Sequence, residues 1–417
     1  MGLSVDVNGT LLISAIRAGD TEGVENLLAA DADPDVRDSR GTPALCLAIE
    51  TYAAAIADLL VGHDADPGQC GPDGVPPLRK AVDSGSPALV EAVVRAWSRR
   101  GLYKAELPEA RDLARHWHET GVEAELRRRT GARGPVARTR VLDDEFTAVD
   151  EFSLGGLTVR DGHGAILTAL EERSGVRTSF EELFDRAFTR PDEDHAVWSS
   201  ATILLAHRRD QKTWDAALAL RDHPDPMHRL FGAEVLRLTH LFDDSDEDRF
   251  AGPAVELFLD WAGREQDAAV LATVLTGLGE LCDPRGDAAL LPHAAHPETA
   301  VRRAVANGLS GWTHGFSPAV REALLILMTD PDTDVRQFAC HTVAVGKDRT
   351  PALADAMAAL LDDAVRRVRV TAVYGLARHD DERCVEGARR LPPVPPGASY
   401  EDDLDEVWRY ERRRDGR

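Results

Sequence analysis

Lysine is nearly missing from this chain. Lys80, Lys104, Lys212 and Lys347 are all it has, so arginine supplies almost all of the 49 basic side chains. Against them stand 72 acids, for a formal net charge of -23. That balance argues against nucleic-acid binding and against anionic membrane surfaces, because both depend on an excess of Lys and Arg. A basic protein partner is electrostatically easier. Arginine in place of lysine, with abundant Ala and Asp, also fits a high-GC bacterial genome. Cysteine is scarce as well: Cys46, Cys70, Cys282, Cys340 and Cys384 are odd in number and show no CxxC spacing. This excludes a disulfide framework and a cysteine zinc site, and suits a reducing cytoplasm. No apolar run approaches the roughly 18 residues of a membrane span. The opening stretch MGLSVDVNGTLLISAIRAGD has no basic n-region and does not read as a signal peptide. The expectation is a cytoplasmic protein without membrane contact.

The signatures of catalysis are lacking too: GxxxxGK[ST], GxGxxG after a strand, GxSxG and HExxH are all absent. His293 and His296, with Cys282 upstream, are too few ligands for zinc. His116 and His118 are two positions apart and on a helix point about 200° from each other. The acidic stretch FDDSDEDRFAG lacks the glycine and closing glutamate of a calcium loop. No catalytic residue, metal site or cofactor is expected.

What the chain has is period. With 417 residues it is too long for one ordinary core. Leu12, Leu45 and Leu78 fall at a constant 33-residue step, as do Ala15, Ala48 and Ala81, and Ile16, Ile49 and Val82. A second set keeps the same step in Val24, Ala57 and Val90, and in Leu27, Leu60 and Val93. Between the units lie polar turns, DADPDVRDSRG and HDADPGQCGPDG. TPAL at 42–45, LLAADADPD, LLVGHDADP, Gly19 and Gly85 give this region a resemblance to ankyrin repeats. It departs from them in lacking a histidine after the leucine and in placing Tyr52 where the inter-helix glycine belongs. PEARDLARHWHETGVEAELRRR looks like a degenerate fourth repeat whose charged face caps the array. The resemblance implies partner-binding turns, with Asp35, Arg37, Asp38, Arg40, Gln69, Asp73 and Arg79 as candidate contacts.

A second period begins at His296. HPETAVRRAV, DPDTDVRQFA from Asp330 and DAVRRVRVTA from Asp363 each place a valine (Val301, Val335, Val368) before an arginine (Arg302, Arg336, Arg369). An apolar residue follows two turns later in Leu309, Val343 and Leu376. The same template can be laid back from Glu265 (Val270, Val274, Leu278), from Asp225 (Leu230, Leu238) and from Asp192 (Val197, Trp198, Ala201, Leu205), giving six units. Asp-Pro or His-Pro would start each helix, with proline at the first helical position. The apolar stripe can be buried only by stacking one hairpin on the next. The repeated Val-Arg and Asp-Pro resemble HEAT repeats in the short bacterial form of bilin-lyase-like proteins. In such a stack each arginine is expected to bond the carboxylate that opens the neighbouring unit. Positions two and six after each core valine face the other way: Arg303 and Asn307, Gln337 and His341, Val370 and Tyr374. The resemblance implies that this side lines a groove that holds a partner.

Between the arrays, Arg127–Arg140 carries six arginines and reads as a solvated linker. VLDDEFTAVDEFSLGGLTVRDGHGA follows, with Phe152 and Leu154 alternating before Gly155-Gly156 and Leu157 and Val159 after it. That pattern predicts a β-hairpin, which would cover a solenoid end or set the two arrays' orientation. Arg160, Asp161 and His163 form a candidate junction loop. The tail LPPVPPGASYEDDLDEVWRYERRRDGR reads as a capping helix with Leu404, Val407 and Trp408 on one face, the alternative being a disordered arm that folds on a partner.

The fold expected is therefore mostly all-α, two tandem α-solenoids with a short β-hairpin at the junction. Its parts would be ankyrin-type repeats over 1–130, linker and hairpin over 131–164, HEAT-type repeats over 165–390 and a tail over 391–417. The leading functional expectation is a non-catalytic scaffold or regulator for cytoplasmic proteins. The alternatives are an enzyme with a small-molecule- or peptide-modifying site in the HEAT-type groove, and an immunity or inhibitor protein masking a basic partner. Nothing in the sequence selects an oligomeric state.

Overall fold

A computed structural model describes residues 7–100, 106–242, 249–310, 315–392 and 401–414. The chain is mostly α-helical, with one three-stranded antiparallel sheet, and divides into two compact units, Met1–Leu205 and Ala206–Arg417. No helix among the described residues is long and apolar enough to cross a membrane.

The first unit opens with four antiparallel helix pairs: α1 (Val7–Ala18) with α2 (Thr21–Ala29), α3 (Ala44–Glu50) with α4 (Ala54–Gly62), α5 (Pro77–Ser84) with α6 (Pro87–Arg100), and α7 (Leu107–Thr120) with α8 (Val122–Thr130). The 33-residue period reappears as burial. Leu12, Leu45, Leu78, Ile16, Ile49 and Val82 share one core. Strands β1 (Ala137–Leu142), β2 (Ala148–Leu154) and β3 (Leu157–Arg160) follow, then α9 (His163–Arg173), α10 (Phe180–Ala187) and α11 (Ala196–His207). Ile166, Leu167 and Leu170 of α9 join the core of the first helix pairs. This is why the unit closes near Leu205, well beyond the sequence boundary at 164.

The hairpin forms around Gly155 and Gly156, whose φ of +60° and +83° are the left-handed values its two-residue turn requires. The stretch read as linker contributes more than solvated charge. Arg127, Arg128 and Arg129 lie in α8, and Arg138 and Arg140 lie in β1, which pairs with β2 from Ala137↔Ser153 to Leu142↔Ala148. Arg128 and Arg129 both bond Glu125, a fully buried carboxylate, and Arg128 first among them holds it down to about 2. The sheet packs on α5 and α8, within the first unit. Tyr52 explains the departure from glycine at its turn. It adopts φ +57°, and its hydroxyl donates to the Thr158 carbonyl at 2.9 Å while Arg160 lies 4.4 Å over its ring. Contacts to β3 offset a left-handed conformation that costs about 1–2 kcal/mol in a non-glycine residue.

The second unit is a stack of hairpins: α12 (Gln211–Leu218) with α13 (Pro226–Leu241), α14 (Ala251–Ala262) with α15 (Ala268–Glu280), α16 (Gly286–Leu290) with α17 (Thr299–Gly308), α18 (Pro318–Leu327) with α19 (Thr333–Val345), and α20 (Pro351–Ala359) with α21 (Arg366–Arg378). The second helix of each pair packs on the second helix of the next. Val270, Val301, Val335 and Val368 are each fully buried there, as the stripe predicts. α22 (Arg383–Arg390) and α23 (Glu401–Arg414) close the array against α21. In that cap Val407 and Tyr410 are buried, while Trp408 faces solvent at 55% exposure under the guanidinium of Arg412. The acidic stretch at 243–248 and the proline-rich stretch at 393–400 lie outside the described residues.

Two features of the stack differ from expectation. First, Asp330-Pro331 does not start its helix. The Asp330 carboxylate accepts from Asp332 N at 2.9 Å, and Asp332 then caps α19 by accepting from Asp334 N and Val335 N. His296 accepts from Glu298 N in the same way, and Asp363 from Val365 N. A side chain folded onto the amide two residues ahead makes a turn before the helix and leaves capping to the next polar residue. Only Asp225-Pro226 has the expected cap-and-proline form. Second, the ladder exists and has one more member than the template found. Arg302 bonds Asp330 at 2.7 Å and Arg336 bonds Asp363 at 2.8 Å, each reaching into the next unit, while Nη1 of each bonds the two carbonyls that precede its own helix. Arg369 makes the same carbonyl bonds to Asp363 and Ala364 but, contrary to expectation, pairs with no carboxylate of a following unit among the described residues. Arg229 repeats the whole arrangement, with carbonyls at His223 and Pro224 and the carboxylate of Glu265 at 2.8 Å. The equivalent of His296 is thus His223, not Asp225. The second His-Pro in the chain was the available signal.

Candidate functional site

Outside the ladder and the buried stripe, one face of α17, α19 and α21 carries a row of polar and aromatic side chains. Asn307 and His341 are exposed, and Arg303, Gln337 and Tyr374 are half-buried. His341 and Tyr374, from successive units, stack with ring centroids 6.1 Å apart and planes within 9°. Arg378 extends the row, its guanidinium 5.6 Å from the Tyr374 centroid. At the other end Arg303 reaches Asp334 at 3.1 Å, and Asp334 also pairs with Arg367. Val370 does not belong to this surface, because at 1% exposure its side chain is in the core. The face is held from behind. Thr342 Oγ1 donates to the Ala306 carbonyl at 2.8 Å, joining α19 to α17. The surface offers an aromatic shelf, amide and imidazole hydrogen-bonding groups and charges of both signs, a chemistry suited to holding a peptide chain.

In the first unit the turn residues named from the sequence have intramolecular partners. Arg37 donates to the Gly41 and Cys70 carbonyls and to Gln69 Oε1 at 2.8 Å, so it ties one turn to the next. Asp35 accepts from Asp66 N at 2.7 Å. Asp38 is buried, bonded by Arg17 at 2.5 Å and by the amides of Arg40 and Thr42. Asp73 pairs with Lys80, and Arg79 with Glu109. Arg40 and Arg79 are open to solvent, at 70% and 51% side-chain exposure.

The junction residues are not a loop surface. Arg160 ends β3, Asp161 follows it, and His163 is the first residue of α9; all three are buried. Arg160 bonds Asp143 at 3.0 Å. Asp161 accepts from Asp150 N and pairs with Arg190 at 2.5 Å and His195 at 3.0 Å. Burial would raise the Asp161 carboxyl, yet His195 and Arg190 together hold it down to about 2. His163 stacks on Trp117, centroids 4.7 Å apart, and burial pushes it down to about 3, leaving it neutral. Asp150, Asp161 and His195 converge closely enough to suggest a metal site. Arg138 and Arg190 are already aimed at the two carboxylates, however, and a cation would have to displace both guanidiniums. The cluster reads as an ion lattice that pins the sheet to α11. Sequence reasoning missed Asp143, Asp150, Arg190 and His195, whose partners are distant in sequence and carry no local signature.

Residues 12–98 match the family model for ankyrin repeats, in three copies. This stretch is an ankyrin array. The polar turns around Arg37 and Gln69 are therefore the links between its repeats, and such arrays bind proteins. Among solved structures, the X-ray structure of YibA from Escherichia coli is 21% identical, with a TM-score of 0.43, over 55% of this chain and 82% of that one. No curated protein matches the chain.

Proposed function

We propose that this protein is a non-catalytic scaffold or regulator that binds protein partners, with an ankyrin domain over 1–130, a sheet-bearing segment over 131–164, a HEAT-type array over 165–390 whose opening helices α9 to α11 belong to the first compact unit, and a closing tail over 391–417. The observation that carries the reading is the row from Arg303 and Asn307 through Gln337 and His341 to Tyr374. These residues recur at the same helical positions in successive units, and none of them serves the ladder. The HEAT assignment rests on the repeated hairpins and on the arginine ladder from Arg229 to Arg336. A surface fixed by such a stack loses little conformational entropy when a partner docks. The net charge of -23 favours a basic partner and faster association at low salt. Five free thiols support a reducing compartment such as the cytoplasm. An inhibitor that masks a basic partner is a special case of the same reading.

The test is affinity capture from the native cell with the full chain and with Gln337→Ala/His341→Ala/Tyr374→Ala. The reading expects at least one protein captured by the native chain to be lost with the triple variant, at unchanged thermal stability. An identical captured set would overturn it.

A further inference from the structure

A second surface lies in the first unit, at the opposite end of the ankyrin helices from their inter-repeat turns. A groove of about 920 Å³ runs between the turns inside the helix pairs, the β1–β2 loop and the faces of α9 and α11. Small residues form its floor, among them Ala54, Ala88, Ala165 and Ala196. Phe146 and Leu142 stand on one lip, 81% and 70% exposed, and Ile203 on the other at 38%. Large apolar side chains left this open are unusual and mark interaction sites when they gather in a patch.

The exposure of Phe146 is built into the loop. The Asp144 carboxylate accepts from Phe146 N at 2.8 Å, Thr147 N at 2.6 Å and Thr147 Oγ1 at 3.0 Å, which fixes the turn. Asp143 anchors the loop below, accepting from Ala88 N at 2.8 Å and pairing with Arg160. Phe146 is therefore held out over the groove by two carboxylates, and packs into nothing of its own.

The charge around the groove selects its occupant. Asp58, Glu91, Asp144 and Glu145 are accessible on its walls, and among the described residues Arg95 is the one basic side chain lining it. Arg95 is already engaged with Asp58 at 3.3 Å and Glu91 at 3.9 Å, and Glu91 also pairs with Arg173 at 2.5 Å, which leaves Asp58, Asp144 and Glu145 as the acids more open to a further cation. Burial pushes the Asp58 carboxyl above its ordinary range, with Arg95 offsetting part of this and Glu91 adding to it.

We propose that this groove docks a basic amphipathic helix of a protein partner, its apolar face against the alanine floor and under Phe146 and its lysines or arginines toward Asp58, Asp144 and Glu145. The alanine floor lets the large residues at i, i+3, i+4 and i+7 of such a helix approach closely. The proposal is independent of the face on α17, α19 and α21.

The test is a display library of 18-residue helices with leucine fixed at i, i+3, i+4 and i+7 and the remaining positions free to be Lys, Glu, Gln or Ala. It is selected on the full-length protein and counter-selected on Phe146→Ser, a substitution at an exposed side chain that leaves the melting curve unchanged. Enriched peptides are expected to be net basic, to bind Phe146→Ser and Asp58→Asn/Glu145→Gln at least about tenfold more weakly, and to bind the Gln337/His341/Tyr374 triple variant normally. Neutral or acidic winners, no enrichment, or affinity indifferent to Phe146 would overturn the proposal. So would concentration-dependent self-association, measured by sedimentation, that Phe146→Ser abolishes, because a second copy of the chain would then be the occupant.

Discussion

Arg336→Ala removes four hydrogen bonds at once: two to the Asp363 carboxylate at 2.8 and 3.2 Å, and two to the carbonyls of Asp330 and Pro331 at 2.8 and 3.0 Å. Asp363, 7% exposed, keeps the Val365 amide as its hydrogen-bond donor and only the charge of Arg369, which does not bond its carboxylate, as counter-charge. Breaking a buried pair from one side costs about 3–5 kcal/mol, and the 16% exposure of the Arg336 side chain moves the expectation to about 3 kcal/mol. For a unit of this size that is a fall of roughly 6–12 °C in the melting temperature. Differential scanning calorimetry of the full chain reads it, and a double-mutant cycle with Asp363→Ala should return a coupling of at least about 1 kcal/mol. The substitution also changes the acid limb. Burial opposes ionisation of Asp363, but Arg336 holds its carboxyl below the usual range. Its contribution to stability is therefore present above the unfolded carboxyl pKa of about 4 and is lost as pH falls below it. Arg336→Ala should flatten that loss. A melting point within 2 °C of the native chain, roughly half a kcal/mol by the same scaling, or a coupling near zero, would refute the ladder as a stabilising element.

Other perturbations test the packing of the first unit. Gly85→Ala should be severe, by about 3–4 kcal/mol, because Gly85 has φ +71° and a Cβ there would fall 1.8 Å from the Arg160 carbonyl oxygen and 2.6 Å from the His163 ring; a chemical-denaturation midpoint close to native would contradict the docking of β3 on this turn. His163 is held neutral by burial at about 3, against 6.5 when unfolded, so its contribution is fully present above pH 6.5 and lost as pH falls toward 3. His163→Phe, which preserves the stack on Trp117, should lessen the stability lost across that window by roughly 2–4 kcal/mol; an unchanged pH profile would show that His163 is not buried neutral.

The parts of this fold that could be read from the sequence are those encoded at short range. Leu12, Leu45 and Leu78 recur because each ankyrin helix pair meets the same neighbour, and Val301, Val335 and Val368 recur because each hairpin is stacked the same way. The outward positions at Gln337, His341 and Tyr374 follow from helix geometry once the core valines are known. Val370 does not follow the rule: it is buried on α21, the helix against which α22 and α23 close the array. Contacts between distant segments left no trace. Tyr52 and Thr158 are 106 positions apart, and nothing local shows that the tyrosine in place of glycine awaits a strand. The same holds for β1, where Arg138 and Arg140 look like solvated charge until Asp150 and Asp192 are seen beside them. The groove under Phe146 was hidden for the same reason, since its floor is collected from four helices.

The most direct test of the interaction reading places a photo-reactive phenylalanine analogue at position 341 of the full-length protein in its native cell, with the exposed position 362 on the turn before α21 as control. A discrete crosslinked protein at 341, weakened by Gln337→Ala/Tyr374→Ala and missing at 362, is the result the account predicts. No adduct at 341, or the same adducts at both positions, would contradict it.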